Sequence, residues 1–100
     1  MLTKSGVKIS GVQPELLIGL MIADAIYARY NTELVVTSLC DGKHMSNSKH
    51  YQGLAADLRI NNVLPAKLME LLSILKNALG VDFDVVLEKD HIHIEFDPKG

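Results

Sequence analysis

Cysteine is almost missing from this chain. Its 100 residues include one, Cys40, so no intramolecular disulfide can form and no cysteine-rich structural zinc site can be built. Positive charge is not in surplus either: Lys+Arg total 10 against 12 Asp+Glu, a formal net charge of −2. A protein that gains its affinity by neutralising many phosphates needs the opposite balance, so nucleic acid is not an expected partner. Long apolar runs are missing as well. The most apolar stretch, Leu16 to Ala28, is interrupted by Gly19 and Asp24 and falls short of the ~20 residues a spanning helix requires, so no membrane insertion is expected. Met1 to Val12 show no basic segment followed by an apolar one; no signal peptide is expected, and the chain is expected to be made in the cytoplasm. No repeat, low-complexity segment or linker divides the sequence, which predicts a single domain over residues 1–100.

What remains is an ordinary globular composition, 48% hydrophobic and 22% charged. A chain of this length buries roughly 60–68% of its unfolded surface, enough for one modest core. Val7, Lys8 and Ile9 alternate and predict a short strand. Pro14 suits the first turn of a helix and Glu15 its positive end, and from Leu16 to Tyr30 the helix is apolar on most faces, a pattern of burial at a domain centre. Leu34 to Thr37 predict a short buried strand, and the polar stretch Ser38 to Lys49 a long loop of the kind that carries function. Ala55 to Ile60 form a strand with Ala56, Leu58 and Ile60 on one face and Ala55, Asp57 and Arg59 on the other. Pro65 opens a second helix whose stripe of Leu68, Leu71, Leu72, Leu75 and Leu79 ends at Gly80. Phe83 to Leu87 and His91 to Phe96 are strands joined tightly through Glu88, Lys89 and Asp90. The order predicts an α+β fold, an antiparallel sheet with two main helices.

Chemistry concentrates in two places. Along the last strand Ile92, Ile94 and Phe96 share an apolar face, which leaves His91, His93 and Glu95 together on the other. Two imidazoles at i and i+2 are a compact pair of metal-capable nitrogens. The second cluster runs from Ser48 to Asp57, where His50 and Asp57 flank Gly53 and small alanines that permit close backbone packing and a turn. One carboxylate and two imidazoles make a three-ligand zinc set with a fourth position for water, a mixture that suits zinc better than magnesium or calcium.

The pattern Ser48-x-His50-x-x-Gly53-x-Ala55-x-Asp57 followed by Asp90-His91-x-His93 resembles the zinc DD-peptidases. That superfamily holds D-Ala-D-Ala carboxypeptidases and dipeptidases, phage L-alanyl-D-glutamate endolysins and the hedgehog signalling domain. Small phage-encoded members are the most similar, since a segment like Thr37 to His44, Thr-Ser…Asp-Gly-Lys-His, also precedes their motif. The resemblance implies a hedgehog/DD-peptidase-like fold with a catalytic core over about residues 35–96 and one zinc ion held by His50, Asp57 and His93. It makes Asp90 the general base and His91 a stabiliser of the oxyanion or a residue orienting His93, with Glu88 the second candidate for base. Many carboxypeptidase members bind the substrate's terminal carboxylate through an arginine ahead of the first ligand. The equivalent stretch Ser38 to His44 has none, and Lys43 and Arg59 are the candidates to replace it. Ser48 is a hydrogen-bonding residue of the ligand loop and a further substrate-binding candidate. Tryptophan, common around the site in larger members, does not occur. The activity implied is zinc-dependent hydrolysis of peptide bonds in peptidoglycan stem peptides, as in a phage lysis or virion enzyme that reaches the wall through a holin or as a virion component. The alternative is a catalytically silent zinc-binding module of the hedgehog-like type. Outside this pattern, Cys40 is expected to be a buried small residue rather than a nucleophile or ligand, and Glu95 either an acceptor behind the ligands or an exposed strand residue.

Overall fold

Alternation along two neighbouring strands decides which side of the sheet is dry. A computed structural model describes residues 1–40, 49, 50 and 52–99. Its strands are β1 (Leu2–Thr3), β2 (Val35–Ser38), β3 (Ala55–Arg59), β4 (Phe83–Leu87) and β5 (His91–Phe96), in one sheet of order β1-β2-β3-β5-β4. On one face Val36, Ala56, Leu58, Val85, Ile92 and Ile94 are buried and pack into the core. The opposite face carries Asp57, His91, His93 and Glu95, all only partly buried. The chain is α+β, as its sequence predicts.

Two helices cover the dry face. In α1 (Pro14–Ala28), Pro14 stands at the first helical position and Glu15 in the first turn, both suited to a helix start. Leu16, Leu20, Ala23, Ile26 and Tyr27 are buried at helical spacing, and the Tyr27 hydroxyl donates to the Arg59 carbonyl at 2.9 Å, tying the helix to the end of β3. Gly19 is where the helix meets Phe83: a Cβ there would lie 2.7 Å from the Phe83 ring. In α2 (Leu68–Leu79), Leu71, Leu72, Leu75 and Leu79 are buried, and Gly80 at φ 81 ends the helix. Burial of each such leucine contributes about 1.5–3 kcal/mol. No helix among the described residues is long and apolar enough to cross a membrane.

Four details depart from the sequence reading. The N-terminal strand is Leu2–Thr3, not Val7–Ile9, and it runs parallel to β2, so the sheet is mixed rather than wholly antiparallel. Leu2 N–H donates to the Leu34 carbonyl and Lys4 N–H to that of Val36, which fills the free edge of β2 before Gly6, at φ 88, turns the chain away. Alternation at Val7–Ile9 names no partner, and the edge is already taken. Next, α1 is buried on one side only; Leu17, Ile18 and Met21 are 48%, 58% and 60% exposed. A helix lying on one face of a single sheet has just one side to bury, whatever its composition. The helix also stops at Ala28 instead of Tyr30, where the chain turns through Asn31 at φ 51. Finally, Pro65–Lys67 form a 3₁₀ turn ahead of α2 instead of its first turn. Of the expected loop, Ser38 ends β2, while residues 41–48 lie outside the described residues.

Candidate metal centre

Register builds the site. In the β3–β5 ladder Asp57 is directly opposite His93, Arg59 opposite His91 and Ala55 opposite Glu95. Directly opposed residues project from the same face, so Asp57 and His93 meet without help from any loop. The β2–β3 pairing is irregular between Val36 and Ser38, and the Thr37 hydroxyl donates to the Asp57 carbonyl at 3.4 Å beside that irregularity. Bulged pairings of this kind recur next to functional sites.

His50 arrives from outside the sheet and depends on Gly53. Gly53 N–H donates to the His50 carbonyl at 3.0 Å, and the Gly53 carbonyl accepts from Gln13 N–H at 2.9 Å at the start of α1. Gly53 has φ 74, and a Cβ there would lie 1.9 Å from the Gly11 carbonyl oxygen, so no other residue fits the turn. Thus the glycine of the sequence motif docks the His50 turn against the chain leading into α1. His50 is 3% exposed, the one buried polar side chain among the described residues.

The three side chains converge on one oxygen. Asp57 Oδ1 lies 2.9 Å from His93 Nδ1 and 3.3 Å from His50 Nε2, and the two rings have centroids 5.1 Å apart. His50 Nδ1 is 2.7 Å from the Leu39 carbonyl, which can only accept, so Nδ1 carries the hydrogen and Nε2 turns toward Asp57. A carbonyl on the far ring nitrogen is how a ligating histidine is commonly oriented. His93 has the same arrangement with a carboxylate: its Nε2 is 2.9 Å from Glu95 Oε1. Glu95 is therefore the acceptor behind the ligand.

Charge follows geometry. His93, hydrogen-bonded to Asp57 and, against the effect of burial, also to Glu95, has its pKa raised from 6.5 to about 9. For Asp57 burial favours the neutral acid, yet hydrogen bonds from His50 and His93 outweigh it and hold the carboxyl well below the usual carboxylate range. Positive charge is what this oxygen is built to face. The proton on His93 supplies it in the metal-free chain, and a divalent ion would supply it in its place.

The donor set fits such an ion. One ligand atom from each of His50, Asp57 and His93 lies within 4.8 Å of the others, so the three residues can hold a metal. Bonds of about 2.0–2.2 Å in a tetrahedral zinc site place ligand atoms roughly 3.3 Å apart, close to the separation of His50 Nε2 and Asp57 Oδ1.

The other expected residues fall around this group. His91 Nε2 comes to 3.6 Å from Asp57 Oδ1, nearer the edge of the site than either ligand histidine. Asp90 does not point into the cluster. Its Oδ1 is 2.6 Å from His91 Nδ1, on the far side of that ring, and its side chain is 85% exposed; the His91 contact, opposed by desolvation, lowers the Asp90 pKa. Glu88 lies in the connection after β4, exposed like Lys89 and Asp90, and its backbone N–H donates to the His91 carbonyl. Arg59 shares the face of Asp57 and His91. Cys40 is a partly buried cysteine, in no disulfide, packed against the core. Lys43 and Ser48 lie outside the described residues, as do His44 and Tyr51.

A second carboxylate group was not singled out from the sequence. Asp84 is opposite Glu95 in the β4–β5 ladder and, with Asp97, makes a set of three within 4.8 Å. Lys99 Nζ already serves it, 3.0 Å from Asp84 and 3.0 Å from Asp97. The signal available in the sequence was the phase of β4, which puts Asp84 on the face of His93.

Comparison with known families, with characterised proteins and with solved structures finds no match to this chain.

Proposed function

We propose that the chain is a zinc-dependent metallopeptidase that hydrolyses peptide bonds in peptidoglycan stem peptides, of the kind used as phage lysis or virion enzymes. One observation carries the reading: His50, Asp57 and His93, contributed by two motifs far apart in sequence, meet at Asp57 Oδ1 with His91 at the same oxygen. When bound, the ion supplies a Lewis acid that polarises a scissile carbonyl and makes water beside it more acidic. His50 and His93 are oriented for that ion by the Leu39 carbonyl and Glu95, and Asp57 offers it a carboxylate.

Proton handling falls to Asp90 and His91. The carboxylate of Asp90 accepts from His91 Nδ1, which leaves Nε2 facing the site, so the ring can hold or release a proton at Nε2 while Asp90 fixes its tautomer and balances its charge. In the protonated form Nε2–H is also a donor suited to an oxyanion. The proton acceptor in this arrangement is His91 Nε2, and Asp90 acts through that ring as a positioning residue.

A second reading, a silent zinc-binding module, is favoured by the exposure of Asp90 and its turn away from the ligands. Incubation of the zinc-loaded protein with purified peptidoglycan, followed by mass spectrometry of released peptides, separates the two. A defined cleavage product that disappears in Asp90→Ala with zinc still bound supports the enzyme. Intact sacculi with stoichiometric zinc support the module.

A further inference from the structure

The exposed residues of α1 are Pro14, Leu17, Ile18, Met21, Ala25 and Ala28, and every one of them is apolar. A helix at the surface of a single chain ordinarily turns charged side chains outward, and one that is apolar all round is ordinarily covered all round. At 3.6 residues per turn the six occupy about 100° of arc centred near Met21. Pro14, Ile18, Met21, Ala25 and Ala28 follow one another at alternating steps of four and three, the spacing of a seam between two helices. Beside the seam a groove of about 500 Å³, lined in part by Met1, Leu2, Ile9 and Leu17, carries the apolar surface onto the N-terminal segment.

Charge says what covers it. Glu15 and Arg29 stand at opposite ends of the helix on the same flank of the seam, about 9 and 12 Å along the axis on either side of Met21. Among the described residues neither side chain forms an ion pair. When two such helices lie antiparallel about a two-fold axis at Met21, like flanks meet, and Arg29 of each copy comes level with Glu15 of the other. The surface is thus complementary to itself in both pattern and charge. A bilayer fits it poorly: on the other flank Asp24 and Glu33 hold the Met1 amine, whereas a helix lying on a membrane is edged with lysine and arginine.

We propose that the outer face of α1 is where two copies of this chain associate, with the helices antiparallel about a two-fold axis at Met21 and Arg29 of each copy paired with Glu15 of the other. Ile18 and Met21 fill the centre of the contact, and the small side chains of Ala25 and Ala28 let the helices approach. One helix about 22 Å long falls short of the roughly 800 Å² per partner of a standard interface, and the groove at Leu2 and Ile9 adds to it. The dimer is accordingly a reversible one of about micromolar affinity. Because α1 covers the dry face of the sheet, both candidate metal centres stay open on the outer sides of the pair. The association holds whatever reaction the chain carries out.

The test is sedimentation equilibrium of the full chain at low salt, over a concentration series up to about 1 mM. A monomer–dimer equilibrium is expected. Met21→Lys and, separately, Ala25→Arg are expected to weaken it at least about tenfold. Both side chains are exposed, so the melting temperature and zinc binding should stay as they are at concentrations where the unaltered chain is monomeric. Glu15→Arg and Arg29→Glu are each expected to weaken the dimer about tenfold, and the chain carrying both changes to regain it, because the exchange restores opposite charges across the axis. A chain that is monomeric at every concentration, a dimer that survives Met21→Lys and Ala25→Arg, or charge reversals that the double change does not rescue overturn the proposal. So does a monomer that binds vesicles of phosphatidylglycerol and phosphatidylethanolamine and loses that binding in Met21→Lys, which makes lipid the occupant of the face.

Discussion

Asp57 Oδ1 and His93 Nδ1 lie 2.9 Å apart at directly opposed positions of the β3–β5 ladder. The contact is set by backbone register, and a slip of one residue would send one of the two side chains to the core face. His50 is held differently, by a turn that only glycine permits. The candidate site thus has two side chains set by register and one docked from outside the sheet, and its residues differ in what their loss should do.

Glu95 holds the far nitrogen of His93, the one turned away from the expected position of the ion. Removal of such an orienting carboxylate typically costs ten- to hundredfold in metal affinity. Glu95→Ala is therefore expected to weaken zinc binding by about that factor. Competition with a chromophoric chelator measures it. Undiminished affinity would remove Glu95 from the centre.

Gly53→Ala places a Cβ against the Gly11 carbonyl at a positive φ. It is expected to destabilise the fold by more than about 1 kcal/mol and to weaken zinc binding by displacing His50. Gly80→Ala is the control, since Gly80 also has a positive φ but nothing lies within 4 Å of a Cβ there. That variant should lose stability and keep its metal affinity. Equal zinc binding in both would show that the Gly53 turn does not place His50.

The metal-free chain should respond to pH in a definite direction. His93 is raised from 6.5 to about 9, so its contribution is complete below pH 6.5 and is lost as pH rises to about 9. Asp57 is lowered from 3.8, so its contribution is present above pH 3.8 and is lost as pH falls below it. Greatest stability from this pair lies between those limits. The melting temperature is expected to fall from pH 6.5 to 9 in chelator, and zinc to remove that fall because the ion takes the place of the His93 proton. A flat profile in chelator would contradict the charge assignment.

Asp90→Asn retains the shape of the side chain and removes its charge. Because proton transfer by a positioned group is worth about 10²–10⁴ in rate, kcat on a stem-peptide substrate is expected to fall at least about a hundredfold, with zinc content unchanged. Loss of zinc in that variant would make Asp90 part of the metal site instead.

Much of this was legible in the sequence because period alone specifies it. The alternation of His91 to Phe96 sorts three polar from three apolar residues, and the leucine stripe of α2 sits where its spacing puts it. That His50, Asp57 and His93 belong together was an implication of the resemblance carried by the two motifs, and the structure brings the three within reach of one ion. Partner choice was not. Nothing within Leu2–Thr3 or Val7–Ile9 says which will reach the edge of β2, and composition cannot say that a helix apolar all round will find only one surface to cover. The orientation of Asp90 was hidden too, since sequence adjacency to His91 does not reveal which way a turn carboxylate rotates.

Zinc stoichiometry combined with X-ray absorption at the zinc edge tests the central claim most directly. One ion per chain, with nitrogen and oxygen neighbours at about 2.0–2.2 Å, no sulfur, and outer scattering from two imidazoles, is the predicted result, lost in His50→Ala and His93→Ala. Zinc bound through the Cys40 sulfur, or held equally well by both histidine variants, would contradict it.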